Sequence, residues 1–243
     1  TVEFWLRKGF GIFPDAGEAQ NEVIFSVSNE ENDLFQVVTD VTASGNTKLY
    51  ATFSKAITSA EFVFELNTNI SGAAGFGIAD GNWHHYALAF STSSTGYVGE
   101  IYVDGRFQEK KFYTNSGPKL FLTGTIDATV GASSLSSRLG DGGLLASVDE
   151  FRLWKTRRDA KEIGTNFFFD VGGGGNTDEV KVNKDRPLEL ALYYKFNEGN
   201  TGTSSIDSVV LDYSGRLTDG VWVGYNSSGH TSRPSGSAII QSG

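Results

Sequence analysis

The chain has 243 residues, no cysteine and a formal net charge of −9. The acidic balance argues against nucleic-acid binding, because that affinity comes mainly from clustered Lys and Arg, and the lack of cysteine excludes disulfides and thiolate metal sites. Thirty glycines, four prolines and 13% aromatic residues predict short strands joined by tight turns, as in an all-β sandwich or barrel.

Two further features bear on the context of the chain. No apolar run approaches the roughly 18 residues that a membrane-spanning helix needs, so we expect no membrane insertion. The chain contains no Met and opens at Thr1 within a predicted strand. We therefore expect it to be an internal part of a longer polypeptide.

Alternating apolar and polar residues predict a series of strands. In the opening segment 1–8, Val2, Phe4 and Leu6 fall on one face and Glu3, Trp5 and Arg7 on the other. The pair Asp104-Gly105 is typical of a type I′ hairpin turn. The remaining strand candidates, separated by turn-forming residues, are 22–28, 33–41, 48–54, 61–66, 84–91, 99–113, 125–132 and 146–154.

One short helix is predicted near residues 159–164. Asp159 can cap the amides of its first turn, and Gly164 is expected to end it. After the helix, the glycine-rich and then charged residues 170–187 predict an exposed loop.

The last third of the chain predicts one more strand, at residues 188–196, with Leu192, Tyr194 and Phe196 on one face. We expect residues 1–196 to form one sandwich domain. Residues 197–243 are rich in Gly and Ser and are interpreted as an extension or as the start of a neighbouring module.

Four segments in a fixed order resemble the laminin-G-like family, within the concanavalin A-like lectin and pentraxin superfamily. They are TVEFWLRK (1–8), DGNWHHYALAF (80–90), IYVDGRF (101–107) and ASVDEFRLWKTRRDAKEI (146–163). The resemblance implies an antiparallel two-sheet jelly roll of roughly a dozen strands. It also implies a module that binds glycans, matrix or other proteins, often through calcium at a rim of loops.

An enzyme of this superfamily would need two carboxylates on one face of a strand. The hydrolases of the superfamily carry Glu-x-Asp-x-Glu, whereas the nearest candidate here, Asp149-Glu150, has adjacent carboxylates that a strand directs to opposite faces. Adjacent His84 and His85 cannot chelate one ion for the same reason, and Trp83 and one histidine are predicted to pack in the core. We therefore expect glycoside hydrolase activity to be absent.

Calcium is the metal that the resemblance implies. The hairpin FSVSNEENDLFQV resembles the pentraxin hairpin whose turn donates ligands, which places Asn32 and Asp33 at or near that position. The loop that would carry the other ligands reads Ala132-Ser133-Ser134, and Asp141 could either replace one ligand or serve as a turn residue. This set of oxygen donors implies at most a weak calcium site, and the alternative is a pair of solvated loops.

For glycan contact, exposed aromatic rings can stack on sugars. Trp222, Tyr225 and Tyr113 are the aromatic residues least obviously committed to the core, although half-buried packing is the common fate of such residues.

Two function classes stay open. The first is a non-catalytic adhesion module for a glycan or surface protein, and the second is a structural module that assembles with sister chains. Both would place the chain outside the cell or on a virion surface.

Overall fold

The computed structural model describes residues 1–9, 21–40, 48–55, 60–66, 77–93, 95–114, 124–133, 143–169, 171, 190–197 and 209–222. Within these residues the chain forms one helix, α1 (Ala160–Asn166), and a succession of strands. The strands are β1 (Val2–Arg7), β2 (Asn21–Asn29), β3 (Leu34–Asp40), β4 (Lys48–Lys55), β5 (Ala60–Leu66), β6 (Trp83–Ser93), β7 (Gly96–Val103), β8 (Arg106–Thr114), β9 (Ile126–Val130), β10 (Ser147–Trp154), β11 (Leu190–Tyr194), β12 (Val209–Val210) and β13 (Gly220–Val221).

The strands build two antiparallel sheets. The first has the order β11-β10-β1-β6-β7-β8 and the second the order β5-β4-β3-β2-β9, while β12 and β13 pair separately. This arrangement, with its one short helix, confirms the predicted all-β jelly-roll sandwich. No helix in the described part of the chain is long and apolar enough to cross a membrane.

The core lies between the two sheets. Val2, Phe4 and Leu6 all enter it, as the alternation in β1 predicts. Phe25 of β2 and Phe151 of β10 join the sheets, with ring centroids 5.0 Å apart. Each such side chain contributes about 1.5–3 kcal/mol to stability when fully buried, so the alternating pattern is sufficient to fix which face points inward.

The other face of β1 is also covered, which the alternation did not predict. Glu3 is completely buried, and its carboxylate accepts two hydrogen bonds, of 3.0 and 3.2 Å, from Arg158 Nη1. Ile163 of α1 packs on the same side of the sheet against Ala87 and Ala89. The helix therefore caps the outer face of the six-stranded sheet.

The β7–β8 hairpin turns at Asp104 and Gly105, whose φ angles of 48° and 71° fit the predicted type I′ turn. The turn is also a docking point for the helix. A Cβ on Gly105 would lie 2.5 Å from Phe167 Cδ1, and a Cβ on Gly164 would lie 3.1 Å from the Gly105 carbonyl oxygen.

The helix begins as predicted and ends later than predicted. The Asp159 carboxylate accepts from the Glu162 amide at 2.8 Å, and the Glu162 carboxylate accepts from the Asp159 amide at 2.8 Å, which is a complete capping box. Gly164 does not end the helix, which continues to Asn166. The glycine permits close approach to the hairpin turn and does not act as a terminator.

The strand predicted at 188–196 is β11, which pairs with β10. Its two faces are both buried: Leu192 joins the main core, whereas Tyr193 is fully buried on the opposite face. The Tyr213 amide donates to the Tyr193 carbonyl oxygen at 2.8 Å. Residues 209–222, part of the segment interpreted from composition as an extension or the start of a neighbouring module, therefore pack on β11.

Candidate functional site

A cavity of about 340 Å³ lies at the edge of the sandwich where β9 ends, β10 begins and β11 ends. We call it the edge cavity. Its volume falls at the small end of the roughly 300–1,000 Å³ typical of ligand pockets. It is lined by Trp83, Val130, Gly131, Leu144, Ala146, Ser147, Val148, Asp149, Phe196, Asn197 and Trp222.

The sandwich itself fixes the walls of the edge cavity. Trp83 is the first residue of β6, and Ser147 to Asp149 are the first residues of β10. The Gly131 amide donates to the Ile24 carbonyl oxygen, and the Leu144 amide donates to the Gly131 carbonyl oxygen, both at 2.9 Å. This part of the lining therefore belongs to paired strands or is joined to them by backbone hydrogen bonds, which fixes its position.

The lining of the edge cavity includes three half-buried aromatic residues, Trp83, Phe196 and Trp222. The rings of Phe196 and Trp222 are 5.9 Å apart and tilted by 43°. The Arg7 guanidinium lies 5.5 Å from the centre of the Trp83 ring, a cation–π contact that favours one orientation of this indole. Trp83 was predicted to be core packing, and it lines the edge cavity instead.

Phe196 has a left-handed backbone, with φ at 54°. This conformation is strained for a bulky side chain, and such strain concentrates at functional sites. Here it occurs at the residue that brings an aromatic ring against Trp222. Alternation along the strand could not reveal this, because Phe196 follows the end of β11.

The adjacent acids Asp149 and Glu150 have different surroundings. Asp149 lines the edge cavity. Glu150 is buried in the left-handed conformation, and its carboxylate accepts from Arg152 Nη2 at 2.9 Å and from the Tyr193 hydroxyl. Burial raises the pKa of Glu150 above its ordinary value. The two carboxylates therefore have different partners, but Glu150 lies at a register shift between β1 and β10, so the regular strand geometry behind the prediction of opposite faces does not hold here.

The two histidines also diverge. His84 donates from Nδ1 to Asp104 Oδ2 at 2.8 Å and from Nε2 to Asp80 Oδ2 at 3.1 Å. These hydrogen bonds, with that to Asp104 the stronger influence, raise the pKa of His84 to about 9 despite partial burial. At neutral pH His84 is thus a cation held between two carboxylates.

His85 is buried on the outer face of the six-stranded sheet, against Trp5 and Phe167. Among the described residues neither of its ring nitrogens has a hydrogen-bond partner. Burial lowers the pKa of His85 to about 4, with Glu3 acting in the opposite direction. His85 is therefore a neutral packing residue at physiological pH.

Of the three predicted calcium ligands, the structure describes Asn32 and Asp33. Asn32 is exposed in the turn between β2 and β3, with φ at 60°, and Asp33 is buried. Asn29, which the sequence did not single out, orders this turn: its side-chain oxygen accepts from the Glu31 and Asp33 amides at 3.1 and 2.9 Å.

On the opposite side of the predicted calcium site, Ser133 Oγ accepts from Gln36 Nε2 at 2.8 Å. Asp141 lies outside the described residues. Among those that are described, no three His, Cys, Asp or Glu side chains gather as a metal site requires.

The two predicted aromatic contacts that the structure describes, Trp222 and Tyr113, lie apart. Trp222 lines the edge cavity, whereas Tyr113 lies on β8, at the opposite edge of the six-stranded sheet, and packs partly against the core. Tyr225 lies outside the described residues. Trp83 and Phe196 are aromatic residues of the cavity lining that the sequence did not identify as ligand contacts.

A family model described as the concanavalin A-like lectin/glucanases superfamily matches residues 1–164. Among solved structures, a presumed carbohydrate-binding protein from Bacteroides ovatus is similar to this chain, with 15% identity and a TM-score of 0.53. The alignment covers 90% of this chain and 50% of the Bacteroides ovatus chain. The receptor-binding domain of botulinum neurotoxin type G aligns with 13% identity and a TM-score of 0.45. The alignment covers 68% of this chain and 36% of the neurotoxin domain's chain. No curated protein matches the sequence significantly.

The chain thus spans half the length of the first of these structures and about a third of the second. At these identities the likeness concerns the fold alone.

Proposed function

The chain belongs to the concanavalin A-like lectin/glucanase superfamily, and on that premise we propose that it is a non-catalytic module that binds a glycan in the edge cavity. The observation that carries the proposal is the composition of the lining. Trp83, Phe196 and Trp222 offer apolar ring faces, while Asp149 and Asn197 are polar residues of the same cavity. Sugar rings present both an apolar face and hydroxyl groups, so a lining of this mixed kind suits them.

Binding without hydrolysis is part of the proposal. Glycoside cleavage needs two carboxyl groups that flank one bond, and Glu150 is bound by Arg152 and Tyr193 outside the cavity lining. We expect no reducing sugar from common β-glucans or galactans. Sugar release that Asp149→Asn abolishes would contradict this part.

The proposal also includes a location outside the cell or on a virion surface, where glycans are presented. Calcium would contribute little to this function, since Asp33 is buried in a turn that Asn29 already orders. The presumed carbohydrate binding of the structural neighbour from Bacteroides ovatus is consistent with a glycan ligand.

A glycan array followed by calorimetry tests the proposal. Trp222→Ala should weaken binding of the strongest array glycan at least about tenfold, because buried aromatic anchors dominate small binding sites. Phe112→Ala is the matched control, since Phe112 is 71% exposed on β8, at the opposite edge of the sheet. An array without any bound glycan, or equal losses in the two variants, would refute the proposal.

Assembly with sister chains is a second candidate, which one observation favours. β8 ends the six-stranded sheet and exposes Phe107 and Phe112 by 53% and 71%. Light scattering across a range of protein concentrations tests it. A dimer or larger species that Phe112→Asp dissociates would support assembly, whereas a monomer at every concentration would exclude it for this chain alone.

A further inference from the structure

Residues 209–222 bring Trp222 to the edge cavity from a part of the chain beyond the family match, which ends at residue 164. We infer that Asp212 and Gly220 are positioning residues that hold Trp222 in the cavity, so that this segment completes the binding site. The inference rests on the proposed function for the ligand role of the cavity. The position of Trp222 can be tested separately from that role.

Asp212 joins the segment to β11 through one buried carboxylate. Its Oδ1 accepts from the Tyr193 amide at 3.0 Å and from the Ser214 amide at 2.9 Å. Its Oδ2 accepts from Ser214 Oγ at 2.8 Å and from the Thr218 amide at 3.1 Å. Hydrogen bonds to a carboxylate are stronger than neutral ones, so this side chain fixes both ends of the 212–218 turn against the strand.

The same turn is closed from its other end by Asp219. The Asp219 carboxylate accepts from the Asp212 amide at 2.8 Å, and Arg216 Nε donates to the Leu190 carbonyl oxygen at 3.0 Å. The turn is therefore tied to both the first and the fourth residues of β11. Its conformation determines where β13, and Trp222 directly after it, leave the turn.

Gly220 sets how closely β13 approaches Tyr194. A Cβ at this position would lie 3.2 Å from the Tyr194 hydroxyl oxygen and 3.5 Å from Val210 Cβ, closer to the hydroxyl than ordinary van der Waals contact. That hydroxyl donates to the Thr218 carbonyl oxygen at 2.8 Å. A Cβ at residue 220 therefore requires either Tyr194 or the strand that leads to Trp222 to shift by a few tenths of an ångström.

The contacts continue into the cavity as a row of rings. Tyr194 and Phe196 are 6.0 Å apart, and Phe196 and Trp222 are 5.9 Å apart. Burial, together with Asp212 and Asp219, raises the pKa of Tyr194 to about 12, so its hydroxyl stays protonated and able to donate well into the alkaline range. A displacement at Asp212 or Gly220 therefore reaches Trp222 through groups in direct contact.

The test measures the surroundings of Trp222 without any ligand. The chain has four tryptophans, so the emission of Trp222 is the difference between native protein and Trp222→Phe. Asp212→Asn preserves the shape of the side chain but leaves a single acceptor oxygen. We expect it to shift the Trp222 emission to longer wavelength and to increase quenching by acrylamide.

Gly220→Ala provides the second variant, in case Asp212→Asn does not fold. Its matched control is Gly143→Ala, since a Cβ on Gly143 has no atom within 4 Å and its φ needs no glycine. We expect the Trp222 emission to change in Gly220→Ala and to stay native in Gly143→Ala. Emission that is native in both Asp212→Asn and Gly220→Ala would overturn the positioning role, whatever the glycan array shows.

A double-mutant cycle then tests the ligand role, with the free form of the strongest array glycan as the probe. Asp212→Asn should weaken its binding about tenfold in the native background and less than about twofold in the Trp222→Ala background, because the two residues act through one contact. Equal losses in both backgrounds would overturn the inference. Shifted emission with an array on which nothing binds would instead overturn the proposed function, and with it the ligand role of these residues.

Discussion

The raised pKa of His84 predicts how the free energy of unfolding depends on pH. Its two hydrogen bonds, to Asp104 and Asp80, raise its pKa from the ordinary 6.5 to about 9. Such a raised pKa stabilises the folded state fully below pH 6.5, and the contribution is lost as the pH rises through 9. The shift corresponds to at most about 3.4 kcal/mol, and solvent screening at a side chain that is 17% exposed reduces this to about 1–2 kcal/mol.

Urea unfolding followed by tryptophan fluorescence, at intervals from pH 5.5 to 9.5, measures this contribution. We expect His84→Gln to lower the free energy of unfolding by about 1–2 kcal/mol at pH 6 and by much less at pH 9.5. Subtracting the two curves removes the titration of groups that both proteins share. Asp80→Asn should give an intermediate result, since it removes only the weaker of the two bonds. A difference between native protein and His84→Gln that stays constant across this range would refute the reasoning.

The remaining predictions concern a turn, a buried histidine and calcium. Gly105→Ala should lower the free energy of unfolding by about 2–4 kcal/mol, because residue 105 has a positive φ and a Cβ there would clash with Phe167. Gly81→Ala is the control: residue 81 also has a positive φ but lies in open space, so the loss should be about 1 kcal/mol. Equal losses of the two variants in urea unfolding would contradict this. The pKa of His85 is lowered to about 4, so between pH 6.5 and 4 the unfolded state binds one more proton and the free energy of unfolding falls as the pH falls. His85→Phe should flatten the plot of unfolding free energy against pH in this range. An unchanged slope would show that other groups cause it. Calcium at tenfold excess over a millimolar Kd adds only about 1.4 kcal/mol to the free energy of unfolding, so we expect a small rise in Tm. A large rise in Tm that chelator and Asp33→Ala both abolish would show a stronger site.

Most of the fold could be predicted from local pattern. Alternation located the main strands, and Asp104-Gly105 identified the β7–β8 hairpin, because side-chain direction and turn conformation depend on residues next to one another. The order of the family-like segments added the two-sheet arrangement. Gly164 was misinterpreted because its role depends on the Gly105 carbonyl oxygen, which belongs to a distant part of the sequence.

The candidate site was harder to predict, since its residues come from strand ends and loops far apart in sequence. Trp222 was identified by its distance from any strong strand pattern. Trp83 was hidden within such a pattern, and the strained backbone at Phe196 leaves no trace in the amino-acid sequence. The position of Trp222 depends on Asp212, whose contacts with β11 join residues that no periodicity connects.

The contact between Gly105 and Gly164 has a consequence for how the chain folds during synthesis. The β7–β8 hairpin is complete long before α1 has been translated, yet the outer side of its sheet is covered only when Ile163 packs against Ala87, Ala89 and Tyr102. A nascent chain therefore exposes this apolar surface until the helix emerges and its glycine meets the hairpin turn. A ribosome stalled shortly before residue 160 should hold a sheet accessible to chaperones, and release of the helix should end that access.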